Sequence, residues 1–288
     1  MLEAVINLAE GRRLEVLETL AQAVRPCLLD WHRDAAHHRS VFTLAGEAEE
    51  LLDATVTLTA ESLEHLRLST HNGAHPRFGV VDVVPFVPLR PGRRAGEAVD
   101  FDQAEAAAAA YGERAAALGL AVYRYGPLGS GRTQLPDLRR AIRAGAPPAL
   151  GPSPSEAFGA VCVGVRDVLV AWNLFVHGRS HAEVVHAASA LRQPGLRTLA
   201  LHLEPVGSEQ PRASEQLSCN VVSPFTVPLH GVLDAARALL GGAEVEAELV
   251  GLVPEGAALL VPRNRWSDVD LDEERTIEAR LRDPRWRR

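Results

Sequence analysis

The sequence predicts an α/β fold of the α+β kind, built from two consecutive βαββαβ units. Three observations carry that prediction. Short apolar runs of strand length alternate with helix-period patterns in the order strand, helix, strand, strand, helix, strand, and that order occurs twice. Local detail recurs with it: "NLAEGRR" accompanies the first strand and "NLFVHGRS" its counterpart in the second half. A chain of 288 residues that is 47% hydrophobic has enough material for one large core or two small ones.

The first unit opens with "EAVINLAEGRRLEVLETLAQAV", a strand and then an amphipathic helix with Leu14, Leu17, Leu20, Ala21 and Val24 on one face. "CLLDWH" and "RSVFTLAG" are the next two strands. A helix spans about Glu47 to Leu66, with Leu51, Leu52, Val56 and Leu63 spaced to face a core, and "VVDVVPFVPL" closes the unit. An extension follows: an alanine-rich helix in "FDQAEAAAAAYGERAAALG", a short strand in "AVYRYG", a Pro/Gly/Ser-rich connection "AGAPPALGPSPSE", and a last strand in "AFGAVCVGV". The second unit repeats the pattern with "VLVAWNLFV", helix "SHAEVVHAASALR", strands "LRTLALHL" and "QLSCNVV", helix "LHGVLDAARALL" and strand "VEAELVGLVP". Such a unit closes as a sheet with both helices on one face, the ferredoxin-like arrangement. The expectation is therefore two tandem ferredoxin-like subdomains with antiparallel or mixed sheets, residues 1–167 and 168–288, with a cleft between them. The connection is either a plain linker or the cover of a ligand.

Composition removes several functions. All 30 basic residues are arginine, so a Schiff-base lysine, a pyridoxal phosphate anchor and a Walker-A lysine are absent. A net charge of −7 without a basic tail argues against a nucleic-acid partner. No apolar run approaches the ~18 residues of a membrane span, and the start does not resemble a signal peptide. Cys27, Cys162 and Cys219 are odd in number and lie mostly in apolar runs, which reads as buried free thiols in a reducing cytoplasm.

One stretch concentrates polar chemistry at the mouth of a buried strand: "HNGAHPRFGVVDVVPFVPL", residues 71 to 89. The i, i+4 histidines have the spacing of a helical zinc pair, but Gly73 and Pro76 argue against a helix and no third ligand is signalled, so no metal is expected. "HHR" at 37–39 reads as a polar turn before a strand. On residue physics alone, His75 is a loop histidine with either a surface or a proton-transfer role.

"HNGAHPRFGVVDVVPFVP" resembles the H-x-G-x-H-P-R-x-G-x-x-D-V-x-P-F-x-P signature of the formiminotransferase family, and the similarity runs over nearly the whole chain. "NLAEGRR" is similar to the end of that family's Asn-Phe-Ser-Glu-Gly opening, with Asn7, Glu10 and Gly11 kept, and "HHRSVFTLAG" to its Asn-Arg-Thr-Val-Tyr-Thr strand. "VYRYG", "LPDLRR", "GPSPSEAFGA", "AWN", "ELVGLVP" and "ERTIEARL" follow in family order. The resemblance implies transfer of a formimino group from N-formiminoglutamate to N5 of tetrahydrofolate, a co-substrate bound between two subdomains. It implies that His75 is the general acid/base: an imidazole of pKa near ~6.5 can take the N5 proton and return it to the departing nitrogen. Asp82 is a possible orienting residue. Folate and substrate contacts fall on Asn7, His32, His38, Arg39, Gly73, Arg77 and Asn173. The segment Gly151, Pro152, Ser153, Pro154, Ser155, Glu156, Ala157, Phe158 and Gly159 becomes the ligand cover. Arg39 and Arg77, with Arg132 a weaker candidate, suit the carboxylates of glutamate and folate. A cytoplasmic homodimer working in one-carbon metabolism and histidine degradation is the family expectation.

The chain departs from the pattern at His32, where the family has aspartate, and at His38, where it has asparagine. Ile6, Leu8 and Ala9 replace Pro, Phe and Ser, and "RQPGL" is a shortened loop. These changes keep two other readings open: a one-carbon transferase with a different amine donor, and a non-catalytic folate or small-molecule binding homologue.

Overall fold

The computed structural model describes residues 1–73, 77–128, 134–206 and 214–283. His75 and Arg132 lie outside the described residues. By internal contact the chain forms two compact units, one of Met1–Leu89 with Val99–Asp167, the other of Arg90–Ala98 with Val168–Asp283.

The first unit contains β1 (Leu2–Leu8), α1 (Leu14–Ala23), β2 (Leu28–Asp34), β3 (Arg39–Gly46), α2 (Ala48–His65), β4 (Val81–Pro88), α3 (Asp102–Ala117), β5 (Ala121–Tyr125), α4 (Leu135–Arg143) and β6 (Ala160–Val165). Its six-stranded sheet has the order β2-β3-β1-β4-β6-β5. The four strands of the βαββαβ core pair antiparallel, and the extension adds β6 and β5 as parallel strands, giving a mixed sheet. Parallel addition follows from the crossovers, since α3 and α4 each carry the chain back before the next strand begins. Alternation then sorts the side chains by face. Leu2, Ala4, Ile6 and Leu8 of β1 and Val122 of β5 join α1, α2 and α3 in one core, while Tyr123, Tyr125 and Cys162 meet Leu138 of α4 on the other face.

Two helical faces differ from the periodicity. Leu14 is 41% exposed, whereas Leu17, Leu20 and Val24 are buried as expected. In α2, Val56 and Leu63 only flank the core, and Thr55, Thr59 and Ser62 are buried in their place. Each hydroxyl donates to the carbonyl four residues back, at 2.7, 2.9 and 2.7 Å, and Thr59 also meets the buried Tyr111 hydroxyl at 2.8 Å. The stripe is polar by composition but fully satisfied, which removes the usual cost of burying it.

The second unit contains β7 (Val170–Val176), α5 (His181–Leu191), β8 (Leu196–Leu203), β9 (Ser214–Val221), α6 (Leu229–Leu239) and β10 (Val245–Val250), then the short α7 (Glu255–Ala258) and α8 (Ile277–Arg282). Its sheet order, β10-β7-β9-β8, is wholly antiparallel. Counted from its own first strand this is the order of the first unit's core: last, first, third, second. Ser180 caps α5 through a reciprocal capping box with Glu183. Glu278 draws Arg90–Ala98 into this unit, accepting from the amides of Gly92 at 3.0 Å and Glu255 at 2.7 Å. Among the described residues, no helix is long and apolar enough to cross a membrane, and no group of three His, Cys, Asp or Glu could hold a metal. All three cysteines are free and buried.

Candidate functional site

The polar groups of the first unit gather where β1 ends, β3 begins and residues 77–80 enter β4, with 71–73 beside them. Glu10, just past β1, is 2% exposed. Its Oε1 accepts from the amides of Gly11, Arg12 and Arg13 at 3.0, 2.8 and 3.1 Å, and its Oε2 from Arg13 Nε at 2.6 Å. His38 Nε2 lies 3.1 Å from the same Oε1. Burial alone would raise the Glu10 carboxyl, but the hydrogen bonds from His38, the Arg12 and Arg13 amides and the Arg13 guanidinium outweigh it and hold the group well below the ordinary carboxylate range.

His38 sits at φ 51, in the left-handed region that histidine, like asparagine, enters more readily than most residues. Its Nδ1 is 3.2 Å from the Asn72 carbonyl, and its ring stacks on His71 with centroids 4.1 Å apart. His71 Nε2 donates to the His38 carbonyl at 2.6 Å. Burial pushes the His71 imidazole down to about 4, so near neutral pH it is uncharged, with a proton on Nε2 and a bare, buried Nδ1 that meets no protein donor. Gly73 must be glycine here: a Cβ would come within 2.3 Å of the His37 carbonyl oxygen and 2.7 Å of His38 Cβ.

Leu8, His37, His38, Arg39, His71, Arg77 and Asp82 line a small recess at this point. Asp82 is 2% exposed, accepts from the Phe78 amide at 2.5 Å and lies 4.0 Å from Arg139. Burial raises its carboxyl, against the pull of Arg39, the Phe78 amide and Arg139. Arg39 and Arg77 are both lowered by burial and supported by Asp82, and Arg77 donates to the His71 carbonyl at 3.0 Å. Asp82 thus anchors the entry to β4 among the described residues, and its expected role beside His75 lies outside them.

The 151–159 segment meets the same strand mouth. Leu68 N donates to Ala157 O at 2.8 Å, Val80 N to Phe158 O at 3.0 Å and Ala160 N to Phe78 O at 3.0 Å, with Gly79 and Gly159 bridged back to back. Gly159 has φ 68, and a Cβ there would lie 2.1 Å from the Phe78 carbonyl oxygen. Gly151, Pro152, Ser153, Pro154, Ser155 and Glu156 are exposed, while Ala157 and Phe158 are half-buried, Phe158 under the Arg67 guanidinium.

Not every expected residue joins this cluster. His32 lies on β2, the edge strand, opposite Val41, and is not part of the recess that holds His38. Asn7 is half-buried in β1, in register with Val41 and Val83. Asn173 is buried in β7 of the other unit, where its amide donates to Glu248 across the strand pair at 3.0 Å. Glu10 and His71 are the residues the site reading passed over. The signal for the first was its place beside Gly11 in the kept Glu-Gly pair, and the structure shows why that glycine is needed: a Cβ added there would lie 2.2 Å from Asp34 O.

Comparison with known proteins places these segments in one lineage. Over 98% of its length the chain is 28% identical to a glutamate formimidoyltransferase of Thermoplasma acidophilum, covering 97% of that protein. It is 29% and 30% identical to formimidoyltransferase-cyclodeaminases of Sus scrofa and Gallus gallus over 90% of its length, and spans about half, 51%, of each. Residues 1–166 match the formiminotransferase domain, N-terminal subdomain, and the chain therefore belongs to the formiminotransferase family.

Proposed function

We propose that this protein transfers a formimino group from N-formiminoglutamate to N5 of tetrahydrofolate, with His75 as general acid/base. The observation that supports this best is convergence. Segments distant in sequence, the end of β1 at Leu8, the His37–Arg39 turn, His71, Arg77 and Asp82, line one small recess, which Glu10 joins through His38, in a chain similar end to end to a glutamate formimidoyltransferase. Residues 1–167 and 168–288 act as its two formiminotransferase subdomains, each ferredoxin-like in plan.

The residues present suit a folate. The exposed run 151–156 offers backbone beside the strand mouth, Arg39 and Arg77 offer guanidinium groups to carboxylates, and the bare His71 Nδ1 is a buried acceptor for a ring or amidine N–H. Bound tetrahydrofolate supplies the amine that accepts the one-carbon unit. The chain's own work is to bind and orient the two substrates, to take a proton on the His75 imidazole and to return it to the leaving nitrogen. No metal takes part in this reading. The setting is the cytoplasm, where three buried thiols stay reduced, and the assembly is a homodimer.

Purified protein given tetrahydrofolate and N-formiminoglutamate should release glutamate and form the 5-formimino folate stoichiometrically. Tight folate binding with no glutamate released would transfer the reading to a different amine donor, the alternative that the imidazole at His32 leaves in view.

A further inference from the structure

His38 faces two groups that can only accept. The Asn72 carbonyl lies 3.2 Å from Nδ1 and the Glu10 carboxylate 3.1 Å from Nε2. A neutral imidazole has one N–H and satisfies one of them; only a ring protonated on both nitrogens satisfies both. We propose that His38 is a positioning residue: as an imidazolium bridging Glu10 and Asn72, it holds the 71–73 segment against the end of β1 and so fixes the chain on its approach to His75.

The surroundings fit a positive charge at this one place. Glu10 is held ionised first by its hydrogen bond with His38 and then by the Arg12 and Arg13 amides, and Arg13 shares its other oxygen. His71, stacked on the His38 ring, is neutral and adds no second charge. Arg77 is turned to the His71 carbonyl, and Asp34 serves His37, accepting from its amide at 2.8 Å with His37 Nε2 at 3.7 Å. The bridge also works in both directions, because His71 Nε2 donates to the His38 carbonyl while the His38 ring reaches the Asn72 carbonyl. Asparagine tolerates the same left-handed backbone and can donate a hydrogen bond, but its amide does not titrate. The charge, and any pH dependence it brings, therefore comes from the imidazole of His38 and would be lost with asparagine in its place.

For its activity arm the proposal rests on the transferase reading above; the bridge itself does not. The test compares wild type, His38→Asn and His38→Ala from about pH 5 to about pH 8, the range in which an imidazole changes charge. Wild-type kcat should fall on the alkaline side as the bridge loses its proton, with KM for tetrahydrofolate little changed. His38→Asn should lack that limb, and His38→Ala should lie about tenfold below the wild-type acid plateau, with a gap that narrows as the pH rises. In parallel, the ring nitrogens of 15N-histidine-labelled protein are followed by NMR. The signal that disappears in His38→Asn should show both nitrogens protonated at the acid end, and the His71 ring signal should shift in step with its proton loss. An identical alkaline limb in His38→Asn, or a His71 signal indifferent to the His38 proton, would overturn the proposal. Should the NMR coupling appear without any transfer activity, the transferase reading fails and the bridge stands.

Discussion

After β1 the chain turns at Glu10, whose carboxylate gathers three backbone amides and the His38 ring. After β7, the matching strand of the second unit, it turns at Gly178, and Arg179 reaches instead to the carbonyls of Leu240 at 2.7 Å and Gly241 at 3.3 Å behind α6. The strand order is the same, but the use of polar groups is opposite. The first turn collects charge around a recess; the second closes the open end of a helix. Elsewhere in the second unit, polar pairs are scattered as local fastenings: Asn173 with Glu248, and Glu215 between His181 at 2.7 Å and His202 at 2.6 Å. A repeated strand order therefore does not repeat its polar cluster. The framework is set by apolar periodicity, which both units share, and the placing of buried charge by a few turn residues, which they do not.

The contrast is sharpest in turnover. His75→Ala should leave both units folded and lower kcat by roughly 10²–10⁴-fold, the usual worth of a positioned acid/base. His181→Ala in the second unit should stay within about twofold of wild type, since a half-exposed fastening contributes little. Steady-state kinetics of the two variants decide it, and equal losses would mean that chemistry is shared between the units.

A second comparison sets two left-handed glycines against each other. Gly159 has φ 68 and a Cβ would strike Phe78 O; Gly178 has φ 67 and a Cβ would meet nothing within 4 Å. Gly159→Ala should cost about 3 kcal/mol or more, backbone strain plus collision, whereas Gly178→Ala should cost about 1 kcal/mol, the strain alone. Urea midpoints measure both. Equal costs would show that the junction between 77–80 and 158–160 yields easily.

The smallest effects are pH slopes of opposite sign. Glu10 has a folded-state value below its ordinary 4.5, so its contribution is in place above 4.5 and drains away as the pH falls from there. His202 is raised above its ordinary 6.5 by its hydrogen bond with Glu215, so its contribution is present below 6.5 and is lost as the pH rises through the folded value. Hydrogen exchange, corrected for intrinsic rates, should quicken in β1 on acidification and in β8 and β9 on alkalinisation. Glu10→Gln should flatten the first slope and Glu215→Gln the second.

Much of the framework was legible because strands announce themselves as short, largely apolar runs bounded by turn residues. "RSVFTLAG" and "LRTLALHL" are β3 and β8 to the residue. What stayed hidden depends on partners that periodicity cannot see. The buried Thr55, Thr59 and Ser62 look polar until their own helix satisfies them. Nothing in "RPGRRAGEA" shows that Arg90–Ala98 packs with the second unit, because the anchor is Glu278, far along the chain. The site was legible as a set of segments but not as an arrangement. His38 was noticed as a departure, yet its bond to Glu10 and its stack on His71 join elements whose meeting only the fold determines, and the same fold leaves His32 on an edge strand apart from them.

The back-to-back contact of Gly79 and Gly159 bears on how such a chain can diverge. Two segments remote in sequence behave there as one mechanical part, with no side chain between them to absorb a change of length. The connection that leads up to it can lengthen or shorten at little entropic expense, because loop closure grows only slowly with size. A single residue inserted at 78–80 or 158–160 has no such freedom and would throw both strand entries out of register. Relatives should therefore vary in length before residue 151 and keep a fixed count across the two glycines.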